Sequence, residues 1–486
     1  MAQQTGTPEE QGVPSDAIKN LVIKLSEHQL AMHSLLIARH GVLIAEIYYK
    51  PYTKDTLHRM YSATKSFVSL AIGLLIEDGK LSLNDHICQF FPEYVSPPLH
   101  PWLEQMTIGD MLRMETCHTE ATFREDDETY NWSESFFKTL PAKPPGALFQ
   151  YDTSATHVLS ALVEKMTGKE LIAFLRERFL DDIGFSKQAW IMKDPYGVSK
   201  GGSGLMALPR DMLRVGLMIA GEGRHPDDYG KKNGRIVYPP AYLKEATRLQ
   251  TTTWINQYTG YMCGYGYQFW MLPNDAYTMF GMAGQEVMVF PKEDIVIVTT
   301  ADTQEVPKGN DVLYSDIVTC LLEHIEDQPL LRTADMKDFA DFCSSQTLPV
   351  MQGINAPSMQ EQVNGRQFVV ENKDSGFTGL ELHFCDDEGL FIYHNTYGSF
   401  KLPFGMGGLK ESKFSQHGWR AVSSGAWLSE REFAIHIWVI DIKISSIQVK
   451  FSFTDSGRLT VLMNKTEKGT FHEWSGILNC SLKSYE

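Results

Sequence analysis

A serine sits three residues ahead of a lysine in Ser62-Ala-Thr-Lys65, just before the longest strongly apolar run of the chain, Phe67 to Ile76. A serine in the first turn of a helix has free backbone N–H groups and the positive end of the helix dipole beside its Oγ. A lysine three positions on shares its helical face, within reach of that oxygen. A hydroxyl is a weak nucleophile until a neighbouring base takes its proton, and a lysine is such a base only when its surroundings lower its pKa. The spacing alone also fits a serine helix cap with a solvated lysine, and a second match, Ser135-Phe-Phe-Lys138, stands in an acidic and aromatic stretch.

Two further segments favour chemistry. Pro144-Pro-Gly-Ala-Leu-Phe-Gln-Tyr151-Asp-Thr153 is a turn, a short extended piece and then a polar cluster opening an apolar helix. A tyrosine there is either a proton carrier shared with Lys65 or a packing ring with a wet hydroxyl. Met279-Phe-Gly281-Met-Ala-Gly284-Gln285 leads into an apolar strand, and glycines at a strand entrance mark either close approach of a ligand or a bulge.

In this order the three segments resemble the serine β-lactamase and penicillin-binding-protein superfamily, in its class C-like branch of esterases, amidases and D-peptidases. Thr7-Pro-Glu-Glu-Gln-Gly12, Leu35-Leu-Ile-Ala-Arg-His-Gly41, Leu81-Ser-Leu-Asn-Asp85, Thr107-Ile-Gly-Asp-Met-Leu112, Gly201-Gly-Ser-Gly-Leu205 and Tyr265-Gly-Tyr-Gln-Phe269 extend the resemblance over about residues 7–325. It implies Ser62 as the acylated nucleophile, Lys65 as its activating base and Tyr151 as a second proton carrier. The backbone N–H groups of Ser62 and Gln285 would form the oxyanion hole. Thr153, Met282, Ala283 and Gly284 would line the substrate site, Thr153 where relatives often carry Asn and Met282 where they carry Lys or His. A thioether makes no charge-assisted bond to a carboxylate, so β-lactams are expected to be poor substrates unless Arg113 or Arg210 supplies a cation.

The elements around these residues set the fold. Residues 34–48 read as a hairpin about His40-Gly41, preceded by a helix over Ser15–Gln29 with Ser15 as its cap. Helices are expected from Ser62 to Asp78, after Tyr151 up to Gly168, over Asp211–Ala220 and over Asp311–Ile325. Strands are expected at Glu286–Phe290 and Asp294–Thr300. From Gln367 to Leu478 the pattern becomes short strands (Leu380–Phe384, Leu390–Tyr393, Glu432–Ile440, Ser446–Phe453, Arg458–Met463), with Phe433, Ile435, Ile437 and Val439 at alternate positions. The fold class expected is α+β. The resemblance implies a β-lactamase-like antiparallel sheet flanked by helices, with an inserted helical region, over 1–328; a connector with one short helix is expected at 329–365 and an antiparallel β domain at 366–486. The exposed positions of that last domain are candidates for an active-site rim, a filter of substrate size or a homo-oligomer interface.

Composition narrows the partners. With 44 Lys+Arg against 60 Asp+Glu, the chain carries −16 and repels nucleic acid and anionic membrane. No run approaches the ~20 apolar residues of a membrane span, and the first residues lack the basic and apolar regions of a signal peptide. Seven scattered cysteines without a CxxC pair read as reduced thiols in a cytoplasmic protein. The acidic run Arg124-Glu-Asp-Asp-Glu128 reads as a solvated loop, and His118 and His157 as packing or surface residues. No G-x-S-x-G elbow, H-E-x-x-H helix, P-loop or G-x-G-x-x-G is present, so a Ser-His-Asp hydrolase, a metallohydrolase and a nucleotide enzyme lack support, and neither cofactor nor metal is expected. The expectation is a serine hydrolase forming an acyl-enzyme with a small ester or amide. The alternatives are a D-amino-acid peptidase, a β-lactamase, or a non-catalytic ligand-binding or sensor protein on the same fold.

Overall fold

The computed structural model describes residues 4–125, 127, 129–253, 259–331, 336–467 and 473–483, in two compact units divided between Thr347 and Leu348. In the first unit, helix α1 (Ser15–Glu27) leads into the hairpin of β1 (Ala31–Arg39) and β2 (Val42–Tyr48), whose turn is His40-Gly41, both at positive φ. Helix α2 spans Thr64–Glu77, α3 Thr153–Thr167 and α4 Pro209–Ala220. The chain then returns to the sheet as β3 (Tyr277–Gly281), β4 (Gln285–Phe290) and β5 (Ile295–Asp302), and α5 (Gly309–Cys320) follows.

The sheet is antiparallel throughout this region, in the order β2-β1-β5-β4-β3, and is continued by two-residue strands at Trp270–Met271, Gly264–Tyr265 and Thr251–Thr252. Both ends of the unit thus build one sheet, and the helical stretch lies between them in sequence. Side chains alternate between the faces of a strand. Leu36, Val287, Val296 and Val298 join the core that holds α2, α3 and α4, whereas Leu35, Ile37, Met288 and Ile297 join the core of α1 and α5. Burial on both faces explains why β1 and β5 read as near-continuous apolar text.

Several boundaries differ from the sequence reading. Pro14 takes the cap position of α1, and Glu9 Oε1 accepts the Ser15 N–H at 2.9 Å, so Ser15 begins the helix instead of capping it. The stretch ahead of residue 367 carries two helices, Met336–Ser345 and Ser358–Val363, where one was expected. Ser135 and Lys138 lie on a short helix, Trp132–Lys138.

Among the described residues of the second unit ten strands run from Gln367–Val370 to Gly476–Leu482. Their neighbours are antiparallel except at one place, where Gly405 and Met406 pair in parallel with Ser424 and Gly425. That pairing joins Gly398–Met406 to Trp419–Ser429 and closes nine strands into a barrel, with Lys410–Phe414 as an added edge. The expected antiparallel domain is therefore a closed ring, which removes most exposed strand edges.

Candidate active site

Three local structures meet at Ser62. The chain enters through a short strand, His58–Arg59, paired with Leu205–Ala207, and the Met60 N–H donates to Leu205 O at 2.8 Å. Tyr61 then takes a left-handed φ of +44°, and a 3₁₀ turn at Tyr61–Ala63 delivers Ser62, half-buried, to the start of α2. A bulky residue at positive φ stores strain, and such strain concentrates where geometry is functional.

Lys65 is 1% exposed. Its Nζ donates to Ser62 Oγ at 3.1 Å and to the carbonyl of Gly202 at 2.7 Å. Burial lowers the Lys65 pKa to about 7, against the opposing pull of Glu125 and Asp152. At neutral pH a large fraction of this amine is uncharged and able to accept a proton. The Gly202 carbonyl approaches because the residue has no side chain: a Cβ there would stand 2.5 Å from Thr153 Cγ2.

Tyr151 precedes α3, whose N-cap is Asp152. The Asp152 carboxylate is fully buried and accepts from the N–H groups of Ser154 and Ala155 and from Thr116 Oγ1 at 3.0 Å. The Tyr151 ring stacks on Trp270, with centroids 5.6 Å apart, and Lys65 Nζ lies 4.9 Å from the Tyr151 centroid. Thr153 meets the Gly202 loop with its methyl group.

The β3–β4 turn supplies the remaining expected residues. Met282, Ala283 and Gly284 form the turn itself, with Ala283 and Gly284 at φ +66° and +86°. Gln285 sits on the inner strand β4, opposite Gly281, and its amide donates to Met282 O, Ala283 O and Ala301 O. The strand end that borders the nucleophile turn is Gly281–Met282, since a Cβ on Gly281 would fall 2.1 Å from the Met60 carbonyl. A cavity of about 500 Å³ opens at this turn, lined among others by Met282, Ala283, Gln304, Asn310, Lys308 and Asp311.

The two arginines considered as alternative cations are committed elsewhere. Arg113 pairs with Asp110 and Glu115, and Arg210 pairs with Glu46. The second Ser-x-x-Lys does not assemble: Ser135 Oγ donates to Trp132 O at 2.7 Å, and Lys138 is exposed. His118 packs edge-on against Phe136 and His157 bonds Asp194, both buried. All seven cysteines are free thiols. Among the described residues no cluster of three or more His, Cys, Asp or Glu is arranged for a metal, and no helix is long and apolar enough to cross a membrane.

Sequence reasoning missed the groups that hold the site from behind. Glu125, read as part of a solvated acidic loop, is instead paired with the buried Arg59 guanidinium at 3.0 Å and accepts from Ser203 Oγ at 2.7 Å. Its neighbours Asp126 and Glu128 lie outside the described residues. A buried arginine has to find an anion, and the burial of Arg59 is visible only in the fold.

Residues 18–317 match the sequence profile of the Beta-lactamase family. A 6-aminohexanoate-dimer hydrolase of Paenarthrobacter ureafaciens is 24% identical over 319 residues, which are 60% of this chain and 78% of that protein. Esterase EstB of Burkholderia gladioli is 26% identical over 202 residues, 35% of this chain and half of EstB. The solved structure of SurE superposes with a TM-score of 0.50 at 15% identity, covering 92% of this chain and 97% of SurE. At that identity the likeness is one of fold, and its extent takes in part of the C-terminal unit.

Proposed function

The chain belongs to the Beta-lactamase family, and we propose that it is a serine hydrolase that acylates Ser62 with a small ester or amide. The observation that carries this reading is the buried Lys65 amine, 3.1 Å from Ser62 Oγ, with its pKa lowered to about 7. Neutral Lys65 takes the Ser62 proton as Oγ adds to the substrate carbonyl, and the tetrahedral oxyanion collapses to an ester on Ser62. Lys65 and Tyr151 then return a proton to the leaving group. The reverse relay activates a water that hydrolyses the acyl-enzyme, with the two groups titrating as one coupled unit.

The Ser62 N–H is one donor for the oxyanion. For the second, the closeness of Gly281 to the nucleophile turn favours the N–H of the adjoining Met282 over that of Gln285, which lies across the turn on β4. The relatives named as an esterase and a 6-aminohexanoate-dimer hydrolase support ester and amide substrates over β-lactams. So does Met282, whose thioether offers no cation to a substrate carboxylate.

Ser62→Ala tests the reading. Hydrolysis of p-nitrophenyl butyrate is expected to vanish while the melting temperature stays near that of the parent. Retention of more than a small residue of activity in a preparation free of other esterases would contradict it.

A further inference from the structure

Behind the reactive pair lies a second layer of charge. Arg59, three residues ahead of Ser62, is 2% exposed. Its Nε donates to Ser203 O at 3.0 Å, its Nη2 to Glu125 Oε2 at 3.0 Å and to Ser203 Oγ at 3.2 Å. Ser203 Oγ in turn donates to Glu125 Oε1 at 2.7 Å. Ser203 directly follows Gly202, whose carbonyl accepts from Lys65 Nζ. The Arg59 guanidinium also covers the Tyr61 ring at 4.6 Å, over the residue held at positive φ. One ion pair therefore grips both the strained turn that presents Ser62 and the loop that holds Lys65.

We propose that Arg59 and Glu125 are positioning residues, acting as a charge-balanced clamp that fixes the Gly202–Ser203 loop and sets the field in which Lys65 exchanges its proton. This rests on the reading of Lys65 as the base. Lys65 is faced by Ser62 Oγ, the Gly202 carbonyl and the Tyr151 ring, with the carboxylates of Asp152 and Glu125 nearby. Glu125 is faced by Arg59, Lys200 and Ser203, and these partners keep its carboxyl ionised despite burial. The anion favours charged Lys65, and the guanidinium beside it offsets that effect.

Breaking the pair from either side should therefore move Lys65 in opposite directions. In Glu125→Gln the carboxylate is gone and an unbalanced Arg59 remains, so Lys65 loses its proton more easily. In Arg59→Met only Lys200 still opposes the anion, and Lys65 holds its proton more tightly. A residue that only supports the fold would lower activity at every pH without displacing the profile.

The experiment measures kcat/KM for p-nitrophenyl butyrate against pH, with melting temperature and fluorophosphonate labelling of Ser62 recorded for each variant. The acid limb should fall by about 1 pH unit or more in Glu125→Gln and rise by a similar amount in Arg59→Met, the scale of a single close charge. Glu125→Asp, which keeps the charge, should hold the limb near its parental position. If Glu125→Gln does not fold, the upward displacement in Arg59→Met, contrasted with Arg59→Lys at the parental position, decides the matter. A limb that stays fixed, or moves the same way in both variants, while Ser62 still labels would overturn the clamp and leave the nucleophile assignment standing. Failure of the parent protein to label at Ser62 would overturn both.

Discussion

The two compact units bury different kinds of group. Around Ser62 the first unit encloses Lys65, Arg59 and Asp152, all at most 2% exposed, and each is met by a partner. The barrel of the second unit is filled by rings such as Phe404, Trp427, Phe433 and Phe451. Its buried carboxylate, Glu473, is paired with His417. Transferring a charge out of water is costly unless hydrogen bonds and counter-charges replace its hydration, whereas packed aromatic rings stabilise by burial alone. A network of buried charge is therefore maintained where it does something besides hold the fold. In the first unit one such network lies at the entrance to α2.

The sharpest separation between the units should come from the proton relay. Lys65→Ala and Tyr151→Phe are each expected to lower kcat by roughly 10²- to 10⁴-fold, the range for loss of a general acid or base. The double variant should fall well short of the product of the two losses, because the groups act as one unit. Full additivity in steady-state kinetics would assign them to separate steps.

In the barrel the equivalent cut should cost stability alone. Trp427 is fully buried and its indole N–H donates to Gln360 Oε1 at 2.7 Å. Trp427→Ala should lose about 3–5 kcal/mol in denaturant unfolding of the barrel. The acid limb of the pH–activity profile should not move, and a displaced limb would erase the contrast between the units.

A third effect lies upstream of the nucleophile. His33, Tyr52 and His58 stack with centroids 4.1–5.5 Å apart, and both histidines are fully buried. His33 Nδ1 and His58 Nε2 have no hydrogen-bond partner. Burial pushes His58 down to about 4 and His33 well below the usual histidine range. The unfolded chain takes up these protons near pH 6.5 and the folded chain does not, so their cost is absent above that pH and grows as the pH falls toward 4. For His58 it reaches about 3 kcal/mol at pH 4. Thermal unfolding from pH 7 to 4 should steepen accordingly, and His58→Phe should flatten the slope. An unchanged slope would mean that the ring is already charged in the fold.

The smallest effect concerns substrate charge. Met282→Lys places a second amine on the cavity beside Lys308. The ratio of kcat/KM for a carboxylate-bearing ester to that for its methyl ester should rise by roughly 10- to 150-fold, the value of one charge-assisted hydrogen bond. A ratio that does not respond would place the acyl group of the substrate elsewhere.

Much of this was legible in the residues because local rules decided it. Helix α3 stops at Gly168, whose φ of +67° supplies the left-handed cap its position suggested. Ser62 and Lys65 were singled out by type and spacing and Tyr151 through the family resemblance, and the structure brings the three side chains near one another. What was missed depends on contacts between distant segments. Closure of the barrel rests on two residue pairs, Gly405–Ser424 and Met406–Gly425, that no periodicity reports. The strand Lys410–Phe414 is almost wholly polar, so its alternation carries no apolar signal. Glu125 looked solvated because its neighbours are acidic, and only the fold reveals Arg59 behind it. Gln285 was assigned to the oxyanion hole through the family resemblance, and the strand pairing sets it on β4 directly across the turn from Gly281.

The central claim is that Ser62 becomes covalently acylated, and a fluorophosphonate tests it most directly. The folded protein should gain one phosphonyl group, mapped by peptide mass to Ser62, at a rate that rises with pH through the Lys65 titration near 7 and is abolished in Lys65→Ala. A protein that gains no adduct, or gains it on another residue, would contradict the account.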